Sequence, residues 1–411
     1  ATRYYYPELV NKWDSDNQVT GPGSSANPVE VEPMLAVYSY QSRFLTDLNP
    51  CQMLGPTDEG SAMFRFCFGQ TASDIANSTI TNSRFGKWVN RLDILLPDRP
   101  SAPALTAKDM EDIKTAMAFQ ADYVAVSFPQ NATDMEMARQ LCNVAAEQYN
   151  HKPHLIAKIE RAEAIPKLLE IILASDGIMV ARGDLAIEVG NAAVPALQKR
   201  MIKLAREHDR VVITATHMME SMISNPVPTR AEVSDVANAV LDGTDAVMLS
   251  AETAAGKYPL ETVVEMAKIC HAAENAEDVE LDGDFTGQKF DRIDQSIAMG
   301  ALFTAHHLGA KAIVALTDSG STALWMSRHR INVPIYALTS KVATQRKMTL
   351  YRNVRPLLLD SSGDRDTALK QAEGHLKKFG IVQGGDVYAI TCGEPMGAPG
   401  GTNMLKICRV V

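Results

Sequence analysis

Short apolar runs alternate with helix-period stretches through the middle of this chain. Tyr123-Val-Ala-Val-Ser-Phe128, Leu155-Ile-Ala-Lys-Ile159, Ile178-Met-Val180, Val211-Val-Ile-Thr-Ala-Thr216 and Ala246-Val-Met-Leu-Ser250 each read as a buried strand. Between them, Met110, Ile113 and Met117 share one helical stripe, and Thr133 with Glu136 predicts a capping box for a helix running to Gln148. Further helices are expected over Ala162–Leu173, over Ala193–Glu207, over Ala231–Leu241 behind Thr229 and Glu232, and from Pro259 toward His271. Continuous apolar strands spaced by helices specify a parallel sheet covered on both faces. The steady β–α spacing points to a (β/α)₈ TIM barrel, of which five strands are evident, with an open doubly wound sheet as the alternative.

The pattern changes on both sides of this block. Residues 275–290 are acidic and turn-rich and read as a linker. Beyond them a C-terminal α/β domain over 290–411 is expected, with a helix at Ser296–Leu308 and strands at Ala312–Leu316, Val333–Leu338, Val354–Leu359, Val387–Ile390 and Leu405–Val410. Ahead of Ser101 neither period persists for long. Gly21-Pro-Gly-Ser-Ser-Ala-Asn-Pro28 has loop composition, and Met63-Phe-Arg-Phe-Cys-Phe68 reads as an isolated strand. The resulting division is an unrecognised segment over 1–100, a barrel domain over 101–275 and the α/β domain after it.

Composition narrows the class. A chain of 411 residues exceeds one ordinary domain. A net charge of −9 argues against a nucleic-acid partner. No apolar run reaches the roughly 18–20 residues that span a bilayer, and no secretory signal is read at the start of the sequence, so no membrane partner is expected. The six cysteines show no metal-ligand spacing and read as thiols of a cytoplasmic protein.

The strands end in chemistry: Ser127, Lys158, the Arg182-Gly183-Asp184 run, Thr216 and Ser250. Active sites of parallel β/α folds collect at the carboxyl ends of strands. Two carboxylates (Glu160 and Asp184), a lysine and an arginine there suit a divalent metal and a phosphorylated anionic substrate. The plain structural alternative is a pair of strand-end salt bridges, with the Thr216 and Ser250 hydroxyls satisfying backbone groups. In the C-terminal domain, Thr317-Asp-Ser-Gly-Ser-Thr322 joins a strand to a helix, where hydroxyls and amides can cradle a phosphate or simply cap the helix. Gly397–Asn403 is a late turn that could form the other lip of that pocket.

These residues resemble the pyruvate kinase family. The resemblance is carried by Ile156-Ala-Lys-Ile-Glu160, Gly177-Ile-Met-Val-Ala-Arg-Gly-Asp-Leu185, Ile213-Thr-Ala-Thr-His-Met-Met-Glu-Ser-Met222 and the long run Asn225–Thr253. It covers about residues 101–411 and is nearest the bacterial branch. It implies phosphoryl transfer from phosphoenolpyruvate to ADP, giving pyruvate and ATP, in a cytoplasmic homotetramer. Glu160 and Asp184 would hold Mg²⁺ or Mn²⁺, and K⁺ is a second cation the resemblance allows. Lys158 would stabilise charge on the transferring phosphoryl and the enolate. The Gly183 amide would receive the substrate carboxylate, Thr216 would place the proton, and Ser127 and Arg182 would line the same site. Thr317, Ser319, Gly320, Ser321 and Thr322 would bind a sugar-phosphate or nucleotide effector.

The chain also departs from the family. His217 stands where glutamine is usual and Ala186 where glycine is frequent. Residues 1–100 lack the family's early motifs, and only Gly86-Lys-Trp-Val-Asn90 faintly resembles the exit from its lid domain. The alternative function is therefore an impaired relative, or a fusion, acting through its effector domain. Residues 1–100 are expected to trace the family's first strands with side chains that fit that path poorly.

Overall fold

The computed structural model describes residues 37–39, 105–275, 290–359, 365–396 and 400–410. The course of residues 1–100, with the loop at 21–28 and the strand at 63–68, lies outside the described residues apart from Val37–Ser39, as do most of the linker and the centre of the turn at 397–399. The chain packs as two units: one takes the described residues up to Ala273, the other those from Glu274 onward.

Among the described residues, the first unit is a six-stranded sheet whose spatial order is its sequence order, with every pairing parallel. Its strands are β1 (Val37–Ser39), β2 (Tyr123–Val126), β3 (His154–Ile159), β4 (Gly177–Ala181), β5 (Val211–Ala215) and β6 (Ala246–Met248). Its helices are α1 (Ala107–Ala118), α2 (Ala132–Ala146), α3 (Leu168–Ala174), α4 (Arg182–Val189), α5 (Val194–Glu207), α6 (Arg230–Asp242), α7 (Ala251–Ala254) and α8 (Pro259–Asn275). Five strands with their helices thus stand where the apolar runs placed them. Strand alternation sorts the sheet into two faces. Leu155, Ala157 and Ile159 join Val124, Val126, Ile178, Val180 and Val212 in a core with Ile113, Met117, Met135, Leu168, Ile172 and Met201 of the helices. Ile156 and Lys158, at the intervening positions of β3, are buried on the opposite face.

Several boundaries differ from the sequence reading. The helix expected over Ala162–Leu173 is split into a 3₁₀ turn at Ala162–Ala164 and α3, because Pro166 cannot continue the ladder. The second helix is capped by Asn131, whose side chain accepts from the Asp134 amide, so the Thr133–Glu136 box does not form. β4 ends at Ala181, which puts Asp184 in the first turn of α4 rather than on a strand. The Thr229–Glu232 box does form, and Pro259 opens α8. A capping box also forms at α1, where Thr106 accepts from the Asp109 amide and Asp109 Oδ2 accepts from the Thr106 amide at 2.7 Å. Thr106→Ala therefore lowers stability by about 1 kcal/mol. The check is a lower urea midpoint with an unchanged m-value.

The starts of the strands carry a repeated device. Asp176 precedes β4, and its carboxylate accepts from the Leu155 amide of β3 at 2.8 Å while its own amide donates to the Leu155 carbonyl at 2.9 Å. Asp245 precedes β6 and makes the same pair of bonds to Val212 of β5, at 2.8 and 2.9 Å. Each aspartate clips the strand that it introduces to the neighbouring strand.

The second unit is a five-stranded sheet ordered β11-β10-β7-β8-β9, parallel except for the antiparallel edge strand β11. Its elements are α9 (Ile293–His307), β7 (Ala312–Leu316), α10 (Ser321–Ser327), β8 (Ile335–Thr339), α11 (Val342–Met348), β9 (Val354–Leu358), α12 (Arg365–Lys378), β10 (Val387–Gly393) and β11 (Thr402–Arg409). Val314, Leu338, Ile390 and Tyr388 face Leu369, Ala372 and Leu376 of α12.

Candidate active site

Lys158, Glu160 and Asp184 meet at the carboxyl end of the parallel sheet. Lys158 is the penultimate residue of β3, and Glu160 follows its last. Both are removed from solvent, at 4% and 1% exposure. Lys158 Nζ lies 2.6 Å from Glu160 Oε1 and donates to Ser127 Oγ at 3.1 Å. The other oxygen, Glu160 Oε2, accepts from the Phe128 amide at 2.9 Å. Glu160 Oε1 thus has the Lys158 ammonium as its charged neighbour, while Oε2 is held by the backbone. Asp184 comes in from the first turn of α4 to hydrogen-bonding contact with Glu160.

The electrostatics of this cluster are unbalanced. Burial pushes the Glu160 carboxyl up to about 6; Lys158 opposes the shift and Asp184 adds to it. Burial also raises Asp184, against the pull of Lys158, Glu160 and His217. One ammonium therefore faces two buried carboxylates, and a proton shared between the carboxylates relieves the excess charge. A divalent cation would do the same. Two neighbouring buried carboxylates with a single ammonium to offset their charge fit such an ion. Among the described residues no group of three or more His, Cys, Asp and Glu side chains gathers, so protein would supply two ligands. Mg²⁺ is bound in that way, through one or two carboxylates with retained waters and substrate oxygens.

Thr216 closes the site from β5. Its hydroxyl donates to the Ala215 carbonyl at 2.6 Å and accepts from the Gly183 amide at 2.7 Å. A substrate carboxylate arriving at the Gly183 amide would have to displace that contact. Strand ends here are strained: φ is +57° at Phe128, +70° at Thr216 and +54° at His217, in a region unfavourable to residues with a side chain. Arg182 is directed elsewhere. Its guanidinium bonds the Thr216 carbonyl at 2.8 Å and Asp235 at 2.7 Å, and it is not bonded to Lys158, Glu160 or Asp184. Ser250 follows β6 and its amide donates to Glu252 at 2.7 Å.

Two residues absent from the sequence reading brace this end. Glu252 is buried at 2% exposure and accepts from the amides of Met219 and Ser250, tying together the segments after β5 and β6. Asp235 reaches from α6 to Arg182. Neither bracing contact has a local sequence signal, since Met219 lies 33 residues from Glu252 and Arg182 lies 53 residues from Asp235.

In the second unit, the expected effector residues lie together in the turn from β7 to α10. The Thr317 hydroxyl accepts from the Gly320 amide at 2.9 Å, and Ser319 Oγ donates to Ser321 Oγ at 3.1 Å. Thr322 shares a 2.8 Å hydroxyl contact with Thr402 of β11. Gly320 adopts φ +84°, and a Cβ there would approach Met348 to 2.9 Å, so both conformation and space require glycine. Lys341 reaches over the turn to Asp318 at 2.6 Å.

The chain is similar to known proteins. The family model "Pyruvate kinase, barrel domain" matches residues 58–263, and "Pyruvate kinase, alpha/beta domain" matches residues 295–408. The first match begins at residue 58, inside the stretch where the sequence showed only the faint likeness at Gly86–Asn90. A pyruvate kinase of Buchnera aphidicola (subsp. Acyrthosiphon pisum) is 48% identical over 315 residues, covering 76% of this chain and 65% of that protein. A pyruvate kinase of Sporosarcina psychrophila is 36% identical over 392 residues, 95% of this chain and 66% of its own length. The crystal structure of a pyruvate kinase from Cryptosporidium parvum superposes with a TM-score of 0.70 at 34% identity, covering 76% of this chain and 64% of that one. The chain thus spans about two thirds of the length of the relatives it matches. With the barrel model matching residues 58–263 and the α/β model most of the remainder, this chain belongs to the pyruvate kinase family.

Proposed function

We propose that the chain transfers the phosphoryl group of phosphoenolpyruvate to ADP, giving pyruvate and ATP. The observation that carries this reading is the buried Lys158–Glu160–Asp184 cluster at the strand ends, in a chain with the family's barrel and α/β domains. Glu160 and Asp184 would hold Mg²⁺ or Mn²⁺, which supplies charge neutralisation to the substrate's carboxylate and phosphate oxygens when bound.

The chain's own groups do the remaining work. Lys158 is held in place by Ser127 and Glu160 before any substrate arrives, so its ammonium is already oriented toward charge that develops during transfer. Its burial keeps water away, which strengthens that interaction. The Gly183 amide, at the start of α4, offers a donor to the substrate carboxylate once Thr216 releases it. Thr216 Oγ1, beside that amide, places the proton that converts the enol to pyruvate.

The turn Thr317–Thr322 binds the phosphate of a sugar phosphate or nucleotide in this reading, and the protein works as a cytoplasmic homotetramer with a K⁺ requirement. Effector coupling must be reciprocal. Calorimetry should therefore show an activating sugar phosphate binding more tightly in the presence of phosphoenolpyruvate, by the factor with which it tightens phosphoenolpyruvate. Effector affinity independent of substrate removes the allosteric role.

The reading as a whole is tested by following pyruvate release from phosphoenolpyruvate and ADP, with Mg²⁺ or Mn²⁺ and with and without K⁺. Metal-dependent pyruvate formation is expected. A folded protein that forms none under any of these conditions would leave the impaired-relative alternative standing.

A further inference from the structure

We propose that Arg182 is a positioning residue that clamps the strained Thr216 turn, anchored from α6 by Asp235, and does not itself touch substrate. This rests on the phosphoryl-transfer reading for its kinetic consequence, though not for its geometry.

The guanidinium of Arg182 makes an unusual number of committed contacts. Nη2 donates to the Thr216 carbonyl at 2.8 Å, and Nε reaches the carbonyls of Ala215 and Thr216 at 3.3 Å each. Nη1 donates to Asp235 Oδ1 at 2.7 Å and to Gln198 Oε1 at 3.3 Å. Nη2 also packs on the Met218 sulfur. The side chain is 11% exposed, so these are low-dielectric contacts, and each donor direction of the planar fork is engaged.

What the fork holds is a backbone that would not hold itself. Thr216 and His217 are consecutive residues at positive φ, +70° and +54°. Such residues cost on the order of 1–3 kcal/mol each and persist only where the surroundings over-determine them. The Arg182 side chain supplies that over-determination from one side, and the next residue supplies it from the other. The Gly183 amide donates to Thr216 Oγ1 at 2.7 Å. Consecutive residues of α4 therefore grip one threonine by its carbonyl and by its hydroxyl.

The anchor is continuous with other elements. Gln198 of α5, besides accepting from Arg182, donates to Asp242 Oδ2 of α6 at 3.1 Å, so α5 and α6 are bridged beside the clamp. The N-terminus of α6 is fixed by Glu232, which accepts from the amides of Ser221 and Thr229 at 2.6 and 2.7 Å. Asp235 stands one turn further along that helix. The proposal thus gives this side chain, which the catalytic reading alone does not use, a role in the reaction through a residue it never touches.

The test uses the full chain with Mg²⁺. Asp235→Asn keeps the size of the anchor but removes its charge. It is expected to lower kcat about tenfold while the KM for phosphoenolpyruvate stays within about twofold, because a slightly displaced group loses rate rather than binding. The double variant Asp235→Asn/Thr216→Val is expected to be no slower than Thr216→Val alone, since the clamp acts through Thr216. Additive losses, or a raised KM with unchanged kcat, would overturn the positioning role in favour of direct substrate contact. A second measurement stands apart from activity. Hydrogen exchange of the Gly183 amide is expected to speed up about tenfold in Asp235→Asn, as the Thr216 hydroxyl loosens. Unchanged exchange sinks the clamp even if the wild-type protein makes no pyruvate, whereas faster exchange in an inactive protein sinks only the catalytic reading.

Discussion

Replacing Lys158 by methionine lowers kcat by about 10²–10³, corresponding to about 2.7–4 kcal/mol of lost transition-state stabilisation. Methionine preserves most of the buried volume beside Ile156 and Met179, so the change is largely electrostatic. What is lost is a preorganised cation, fixed by Ser127 at 3.1 Å and Glu160 at 2.6 Å, where negative charge spreads over phosphoryl and enolate oxygens. On the proposed reaction, binding of phosphoenolpyruvate should fall less, because a divalent ion held by Glu160 and Asp184 would still meet its anionic oxygens. Steady-state kinetics at saturating metal separate the two effects. An unchanged kcat with a raised KM would assign Lys158 to ground-state binding. Thermal unfolding must be followed alongside, since Lys158 is the one ammonium paired with Glu160 among the described residues.

The second large effect concerns protons. In metal-free protein, thermal stability falls as pH rises from about 4.5 to about 6. The sign follows from Glu160, whose carboxyl rises from an ordinary 4.5 to about 6 on folding. Between those values the folded chain holds a proton that the unfolded chain has lost, so raising pH favours unfolding. A rise of that size corresponds to about 2 kcal/mol. Asp184, raised by burial as well, acts in the same direction. For a unit of this size the expected drop in Tm is about 4–8 °C across the window. Calorimetry in a chelator would measure it. Saturating Mg²⁺ should abolish the slope, because the ion replaces the shared proton. Glu160→Gln should flatten it without metal. A Tm that climbs through this window in chelator would show that the carboxylates are not in conflict.

The strands were legible because burial on both faces leaves uninterrupted apolar runs, and five of them stand in the structure where those runs lie. Lys158 and Glu160 were legible for the complementary reason: charge at the end of such a run has nowhere to go but the rim. Asp184 was found as chemistry but misplaced as structure. Its run Gly177–Leu185 passes from strand to helix with no loop between them, because α4 starts at Arg182 directly after β4 ends at Ala181. The Asn131 cap was hidden by a nearby Thr133–Glu136 pair of equal local merit, and Pro166 was outweighed by its apolar neighbours. α11 and α12 carry too few apolar residues against their charge to announce a period. The partners of Arg182 were out of reach altogether. Asp235 lies 53 residues away, and no local pattern encodes a contact made between α6 and the start of α4.

The aspartate clip at Asp176 gives the sheet opposite responses to acid at its two ends. Burial works to raise that carboxyl, but His154, Arg139 and the Leu155 amide outweigh it and hold Asp176 below its ordinary value. Its contribution is full above the ordinary aspartate range and is lost as pH falls through the lowered value. The carboxylates at the far end are relieved by the same protons that undo the clip. An acid titration of the metal-free protein therefore sees the Glu160 end of β3 relieved before the Asp176 end lets go. Loading the rim with a divalent ion removes the first response and leaves the second. Cation supply then sets how steeply the Glu160 end of β3 responds to pH, with no change to the sequence.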